Sequence, residues 1–241
     1  MLTHEVRAFV RAALPEPPAR VLEVGAGRGE LAADLLAVGY DVVAIDPAGG
    51  PPPVRQVALL DLEGDPASFD AAIAVVSLHH VNPLPESLAR LGVLVRPGGC
   101  LIVDEFDVER LDERAVLWWA EQGLEQRRER PQNAAAFADE MRGHLHPLAR
   151  LAEALAPWFD VGEPVRGAYL HRWDLEPGLR DGEEALIAAG RLPATGARVV
   201  ATRRRLATDV DTERPRRSAD RTRDRVGPPV FPLEPFGPKE R

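Results

Sequence analysis

The chain has 241 residues, 45% of them hydrophobic, a net charge of −8 and one cysteine. The apolar share is enough for a proper core, no apolar run approaches the roughly 20 residues of a membrane span, and the lone Cys100 excludes an internal disulfide and a multi-cysteine metal site. The charge is uneven: residues 203–241 carry 11 basic against 7 acidic residues, net +4, and residues 1–202 carry 19 against 31, net −12. An acidic body is poorly suited to a phosphate backbone, so nucleic acid is not the expected partner. Lys239 is the only lysine, which rules out a lysine-dependent mechanism in the body. The charged, amphipathic N-terminus reads as a helix rather than a secretory leader, and a cytoplasmic protein without membrane association is expected.

Along the chain, Val6, Phe9, Val10, Ala13 and Leu14 recur at helical spacing and predict a helix that stops at Pro15. Apolar runs at 20–24, 41–46, 56–61, 69–77 and 100–106 alternate with helical patterns at 30–38 and 84–95. Continuous runs, rather than apolar/polar alternation, fit strands covered on both faces, and the alternation with helices predicts an α/β fold with a doubly wound, mostly parallel sheet. Residues 107–130 and 133–157 are helical, with a break at Pro147, and read as a cap insertion at about 107–157. Two more strands, at 161–173 and 198–204, flank a helix at 182–189. One domain over 1–205 is expected, followed by an Arg/Asp/Pro-rich disordered tail at 206–241.

The sharpest signal is VLEVGAGRGEL, in which a strand feeds a glycine turn and a helix follows. Glycines there let the backbone turn tightly and let a ligand lie against it. Asp46 ends the next strand, 21 residues after Gly25, where a carboxylate can grip both ribose hydroxyls of an adenosine ligand. Dinucleotides and S-adenosylmethionine both use such a turn. A pyrophosphate prefers GxGxxG and an uncompensated helix N-terminus. Here position 30 is Glu, and Glu23 stands just before the turn; acids in both places suit a ligand that carries an ammonium and a sulfonium.

In order, VLEVGAGRGEL, VVAID, LLDLEG, FDAAIAVVSLHHV and LVRPGGCLIVDEF resemble the successive motifs of class I S-adenosylmethionine-dependent methyltransferases of the small-molecule type (type 11/12). The resemblance covers about residues 20–106 and, through GRLPATGARVVATRR, extends to 204. It implies a Rossmann-like seven-stranded sheet with a helical cap, S-adenosylmethionine as cofactor, and a small-molecule acceptor. It also implies that Glu23, Gly25, Ala26, Gly27 and Gly29 hold the methionine part, Asp46 the ribose, and Asp61 with the Leu62 backbone the adenine. Ser77 and Leu78 would line the path to the sulfonium. The chain departs from the pattern at Pro47–Pro53 and Glu63–Ser68, which leave little room for a regular helix beside the third strand.

Methyl transfer is an in-line displacement that asks mainly for positioning, with a base only where the nucleophile must lose a proton. His79 and His80 follow the fourth strand at the carboxyl edge; each is either a base or orienting group, or a histidine bonded within the loop. Glu105 ends the fifth strand on the same edge and either faces substrate or caps the next helix. Tyr169, His171 and Trp173 alternate along the strand expected at 161–173 and so share one face, either as packing or as a substrate wall. Trp118 and Trp119 read as helix packing. His144 and His146 have the spacing of a metal pair but no third ligand nearby, so no metal is expected. Two rival readings remain at this point: an NAD(P)-dependent oxidoreductase on a similar fold, and a catalytically inactive methyltransferase-like binding or regulatory protein.

Overall fold

The computed structural model describes residues 2–123, 133–173, 175 and 178–205. The 206–241 segment, expected to be a disordered tail, lies outside the described residues. Helix α1 (His4–Ala13) precedes β1 (Arg20–Val24), α2 (Glu30–Ala37), β2 (Asp41–Asp46), β3 (Arg55–Gln56), β4 (Phe69–Val75), α3 (Leu84–Leu94) and β5 (Val95–Phe106). Then come α4 (Glu113–Gln122), α5 (Ala134–His144), α6 (Leu148–Leu155), β6 (Phe159–Val161), β7 (Val165–Gly167), α7 (Arg180–Ala188) and β8 (Gly196–Arg203).

The strands form one sheet in the order β3-β2-β1-β4-β5-β8-β6, with β7 also on β8. β1 to β5 are mutually parallel, and β8 runs antiparallel between β5 and the β6/β7 edge. β6 and β7 are two halves of one edge strand: the Gly162 N–H still donates to the Val200 carbonyl at 3.1 Å, but Pro164 has no amide to continue the ladder. The sheet therefore has seven strand positions and is mostly parallel, as expected. The order reverses between β1 and β4, and ligands bind open α/β sheets at the carboxyl ends of strands at such a switch point.

Alternation along the strands builds two cores. Val21, Ala71, Ile73 and Ile102 face α1 and α2 through Val6, Val10, Leu31 and Leu35. Leu22, Val24, Leu101, Val103 and Phe159 face α3 and α6 through Leu88, Leu91, Leu151 and Leu155. Helix α6 thus belongs to the sheet's covering layer, because its apolar face, Leu148, Leu151 and Leu155, is buried against the strands. This corrects the cap insertion expected to reach residue 157, whose separate helical layer ends with α5. Asp112 and Asn133 cap α4 and α5, accepting from the amides of Ala115 and Ala136 at 3.0 Å each. The two helices gather Val108, Leu111, Val116 and Ala138 with Phe106 and Tyr169 into a third apolar cluster.

Two further strand expectations change. The apolar run at 56–61 contributes only Arg55–Gln56 to the sheet, and the chain then turns back on itself through Asp61 N–H to Ala58 carbonyl and Leu62 N–H to Leu59 carbonyl bonds. The strand expected at 161–173 is broken at Pro164 and ends at Gly167; Leu170–Arg172 form a 3-10 turn. Among the described residues no helix is long and apolar enough to cross a membrane. Cys100 is partly buried on β5, its thiol 3.7 Å from the Ala13 carbonyl and pushed up in pKa by burial, which disfavours the reactive thiolate.

Candidate active site

The glycine turn leaves β1 at the switch point. The amides of Gly25 and Ala26 both donate to the Ile45 carbonyl at 2.9 Å, which ties the turn to β2. Gly25 has φ +72°, and a Cβ there would stand 2.3 Å from the Cβ of Ser77 on the loop after β4. Only glycine fits this position, for steric as well as conformational reasons. Gly27, with φ +53°, has no neighbour within 4 Å of a built Cβ and leaves its surface open to a ligand. Gly29 begins α2 beneath the proline loop, where a Cβ would meet Val54 at 2.8 Å; it supports the turn from behind.

Asp46 is held at the end of β2. Its Oδ2 accepts from the Gly27 amide at 3.0 Å and its Oδ1 from the Ala48 amide at 2.9 Å. Each oxygen keeps a further lone pair for a hydroxyl donor. Glu23 is the opposite case, 4% exposed on the face under α2, with Oε2 left without a partner. Burial pushes its pKa up to about 7, against a hydrogen bond from the Ala32 amide in the first turn of α2. This carboxyl sits at the helix terminus that a pyrophosphate would need, so the dinucleotide reading is not favoured.

Two cavities meet at the turn. The larger, about 950 Å³, is lined by Gly25, Asp46, Val57–Leu60, Ser77 and His80. The smaller, about 670 Å³, is lined by Glu23, Gly25–Arg28, Val76 and Arg172. Gly25 and Val76 border both. A carboxylate with free lone pairs beside an apolar wall fits an adenosine, and a buried, unpartnered carboxyl beside the second cavity fits the ammonium of an amino acid. The residues present therefore fit S-adenosylmethionine.

The loop after β4 forms the far wall. Val76 has φ +52°, an outlier for a β-branched residue, and its amide donates to the Asp104 carbonyl at 2.7 Å. Ser77 Oγ donates to the Val24 carbonyl at 2.8 Å. Glu105 lies beneath this loop with a fully buried side chain: Oε1 accepts from the amides of Ser77 and Leu78 at 2.9 and 2.6 Å, and Oε2 pairs with His79 Nδ1 at 2.5 Å. Both expected roles of Glu105 are thereby corrected; it neither faces substrate nor caps a following helix, because the turn at Leu78–His80 consumes its lone pairs. His79 is buried in that pairing and is not positioned as a base. His80 is exposed and lines the larger cavity. Its inner edge is partly desolvated against the cavity wall, and this first and His79 second lower its pKa, which favours the neutral imidazole near pH 7.

The remaining sites sort as follows. Ser77 lines the larger cavity, whereas Leu78 is fully buried against α6 on the other side of the loop. Asp61 is exposed and outside the cavity wall, and the Leu62 carbonyl is occupied by Arg90 at 2.6 and 2.9 Å. The turn at 58–62 puts the side of Val57–Leu60 there instead. Tyr169, His171 and Trp173 share no strand face. Tyr169 stacks on Phe106 with centroids 4.8 Å apart, Trp173 stacks on Trp119 at 4.8 Å, and His171 Nδ1 pairs with Glu183 at 2.8 Å. Trp118 and Trp119 pack in the α4–α5 layer, as expected. His146 Nε2 is bonded to the Val81 carbonyl at 2.9 Å, and among the described residues no three metal-ligand side chains gather. Val76, Arg172 and Glu183 escaped the sequence reading. Of these only Glu183 left a trace, as an acid in the first turn of a predicted helix.

Known proteins bear on this geometry. A family model described as a methyltransferase domain matches residues 2–155. A ubiquinone biosynthesis O-methyltransferase of Methylocella silvestris is 32% identical over 125 residues, which cover 43% of this chain and 49% of the relative; the match thus spans about half that protein's length. An uncharacterized methyltransferase of Mycobacterium tuberculosis is 30% identical over 183 residues, 69% of this chain and 92% of the relative. The fold matches that of an S-adenosylmethionine-dependent methyltransferase from Mesorhizobium loti with a TM-score of 0.55 at 19% identity, covering 83% of this chain and 98% of that one. With a glycine turn at the switch point, Asp46 on one side of it and Glu23 on the other, the chain belongs to the class I S-adenosylmethionine-dependent methyltransferases, enzymes that take S-adenosylmethionine as their methyl donor.

Proposed function

We propose that this enzyme methylates a small, planar, largely apolar acceptor by in-line displacement. Residues 1–205 act as one catalytic domain in this reading, and the α4–α5 layer forms the acceptor-side wall. The observation that carries it is the pair of cavities meeting at Gly25 and Val76, one beside Asp46 and the other beside Glu23. When bound, S-adenosylmethionine supplies an electrophilic methyl carbon on a positively charged sulfur. Asp46 holds the ribose, Val57–Leu60 offer an apolar wall to the base, and Glu23 faces the ammonium. Val76 reaches from this cleft to the aromatic layer of Phe106, Tyr169, Trp173 and Trp119, which supports an aromatic acceptor. The Methylocella relative's name, with its quinone pathway and oxygen acceptor, points the same way.

His80 is the one of the three expected catalytic residues on a cavity wall. Neutral near pH 7, it takes the proton where the acceptor is a phenol or quinol; His79 and Glu105 hold the loop that carries it. The test is methyl transfer from labelled S-adenosylmethionine to a panel of phenols, catechols and quinols, aliphatic amines and an RNA. Transfer to a hydroxylated aromatic, with S-adenosylhomocysteine released in equal amount, is expected. Transfer confined to the amines or the RNA would overturn the acceptor assignment.

A further inference from the structure

On the sheet face covered by α1 and α2, strand alternation places Glu23 of β1 on the same side as Asp104 of β5 and Arg198 of β8, which stand one row nearer the carboxyl edge. Asp104 and Arg198 are direct partners in the antiparallel register. Arg172 enters this row from the turn Leu170–Arg172, which Glu183 fixes through the amides of Tyr169, Leu170 and His171 at 2.8 to 2.9 Å. Arg172 Nη1 donates to Asp104 Oδ1 at 2.5 Å, and Arg198 Nε donates to Oδ2 at 3.0 Å. The side chains of Arg172 and Asp104 are only 6% and 4% exposed. One carboxylate thus serves two guanidiniums, one buried with it and the other, Arg198, one-third exposed. The Nε of Arg172 is buried without an acceptor.

Arg172 also lines the 670 Å³ cavity that Glu23 and the glycine turn border. A buried donor without an acceptor raises the free energy of the empty site, and an anion in that cavity relieves it. On another wall the Oε2 of Glu23 is equally unpartnered. The cavity therefore offers an acceptor and a donor, the complement of an α-amino acid with its ammonium and its carboxylate.

We propose that Arg172 is the residue that binds the carboxylate of the donor's methionine portion, with Asp104 holding the guanidinium in place. The inference rests on S-adenosylmethionine as the donor and adds how the amino-acid end is recognised. It also separates Arg172 from the other arginine on this cavity, Arg28, which stands exposed at the tip of the glycine turn.

Titration calorimetry on the full chain tests it with S-adenosylhomocysteine and its decarboxylated analogue, which differ only in that carboxylate. Wild-type protein should bind S-adenosylhomocysteine at least tenfold more tightly, about 1.4 kcal/mol. Arg172→Met, which keeps the packing stem and leaves Asp104 paired with Arg198, should lose that tenfold for S-adenosylhomocysteine and bind the analogue unchanged. Arg28→Ala should preserve the preference. Equal affinity of the wild type for both ligands overturns the proposal without any variant, and so does a loss in Arg172→Met that is the same for both ligands. Removal of the preference by Arg28→Ala assigns the carboxylate to Arg28 instead. Failure of wild-type protein to bind either ligand would instead overturn the donor-site reading itself.

Discussion

Glu105 and Glu183 make closely similar sets of bonds at two distant points of the chain. Glu105 receives the amides of Ser77 and Leu78 and the ring nitrogen of His79; Glu183 receives the amides of Tyr169 and Leu170, both the amide and the ring nitrogen of His171, and is equally buried. The backbones match as well: Ser77 has φ −137° and ψ −35°, Tyr169 φ −141° and ψ −36°. In each case a carboxylate with no access to water satisfies the start of a 3-10 turn, and the residue that follows the histidine reaches a ligand cavity: His80 after the first turn, Arg172 after the second.

Glu183→Gln should therefore destabilise the fold by roughly 2–4 kcal/mol at pH 7, because an amide group replaces one acceptor oxygen among four donors. Burial pushes the Glu183 pKa up, but the His171 ring and three backbone amides outweigh it and hold it below 4.5. A depressed value means stability that is present above the ordinary carboxylate pKa and lost as the pH falls through the folded one. The gap in melting temperature between wild type and Glu183→Gln should be widest near neutrality and close only as the pH falls through that depressed value. A gap that does not change with pH would show that the charge of Glu183 is not what holds the turn.

Glu23 has the opposite sign. Its folded-state pKa, about 7, stands above the ordinary 4.5, so its contribution to stability is full below pH 4.5 and fades as the pH rises through 7. Glu23→Gln should raise the melting temperature at pH 8, by up to roughly 3 kcal/mol in stability, and leave it unchanged at pH 4. The ammonium of the donor favours the carboxylate, so binding near pH 6.5 should release a proton. Calorimetry in two buffers of different ionisation enthalpy measures that release; it should vanish in Glu23→Gln along with much of the affinity.

Asp46→Ala should weaken S-adenosylhomocysteine binding by about ten- to a hundredfold, the range of roughly 1.5–3 kcal/mol for hydrogen bonds to a charged group. The variant also frees the amides of Gly27 and Ala48, which are not deeply buried, so its melting temperature should fall only slightly. Unchanged affinity in the folded variant would remove Asp46 from the ribose site.

The two adjacent histidines should separate cleanly. His80→Ala should lower kcat for a phenolic acceptor, remove the acidic limb of its pH profile and spare stability. His79→Ala should lower stability by about 1–3 kcal/mol, since Glu105 stays buried with a bond unmade, and should leave the shape of the pH profile intact. Thermal melts and pH–rate profiles of both variants are the check; a reversed pattern would make His79 the base.

The central strands and the donor turn were legible because local signals and burial agree there. FDAAIAV is covered on both faces and reads as a continuous apolar run, and Gly25–Gly29 with Asp46 mark a ligand turn by composition and spacing alone. The errors fall where long-range contacts decide. Glu105 has the sequence position of a substrate-facing acid, but the amides 27 and 28 residues before it are what it serves. Tyr169, His171 and Trp173 alternate like strand residues, yet the ladder, broken at Pro164, ends at Gly167 and Glu183 winds the segment that follows into a turn. Asp61 matches its family motif but stands exposed beyond the cavity lining, because β3 ends early at the edge of the sheet and the chain turns at 58–62. Arg172 left no signal at all; its partner, Asp104, is 68 residues before it on β5.

Gly25 and Ser77 meet with no space for a methyl group between them, and Ser77 is bonded to the carbonyl just before that glycine. The donor turn and the loop carrying His80 are thus interlocked and move as one bracket. Gly25→Ala carries two separable penalties, a collision that Ser77→Gly relieves and a positive φ that it does not. A partial rescue by the second substitution would measure how much of this site's precision comes from contact between its loops rather than from either loop alone.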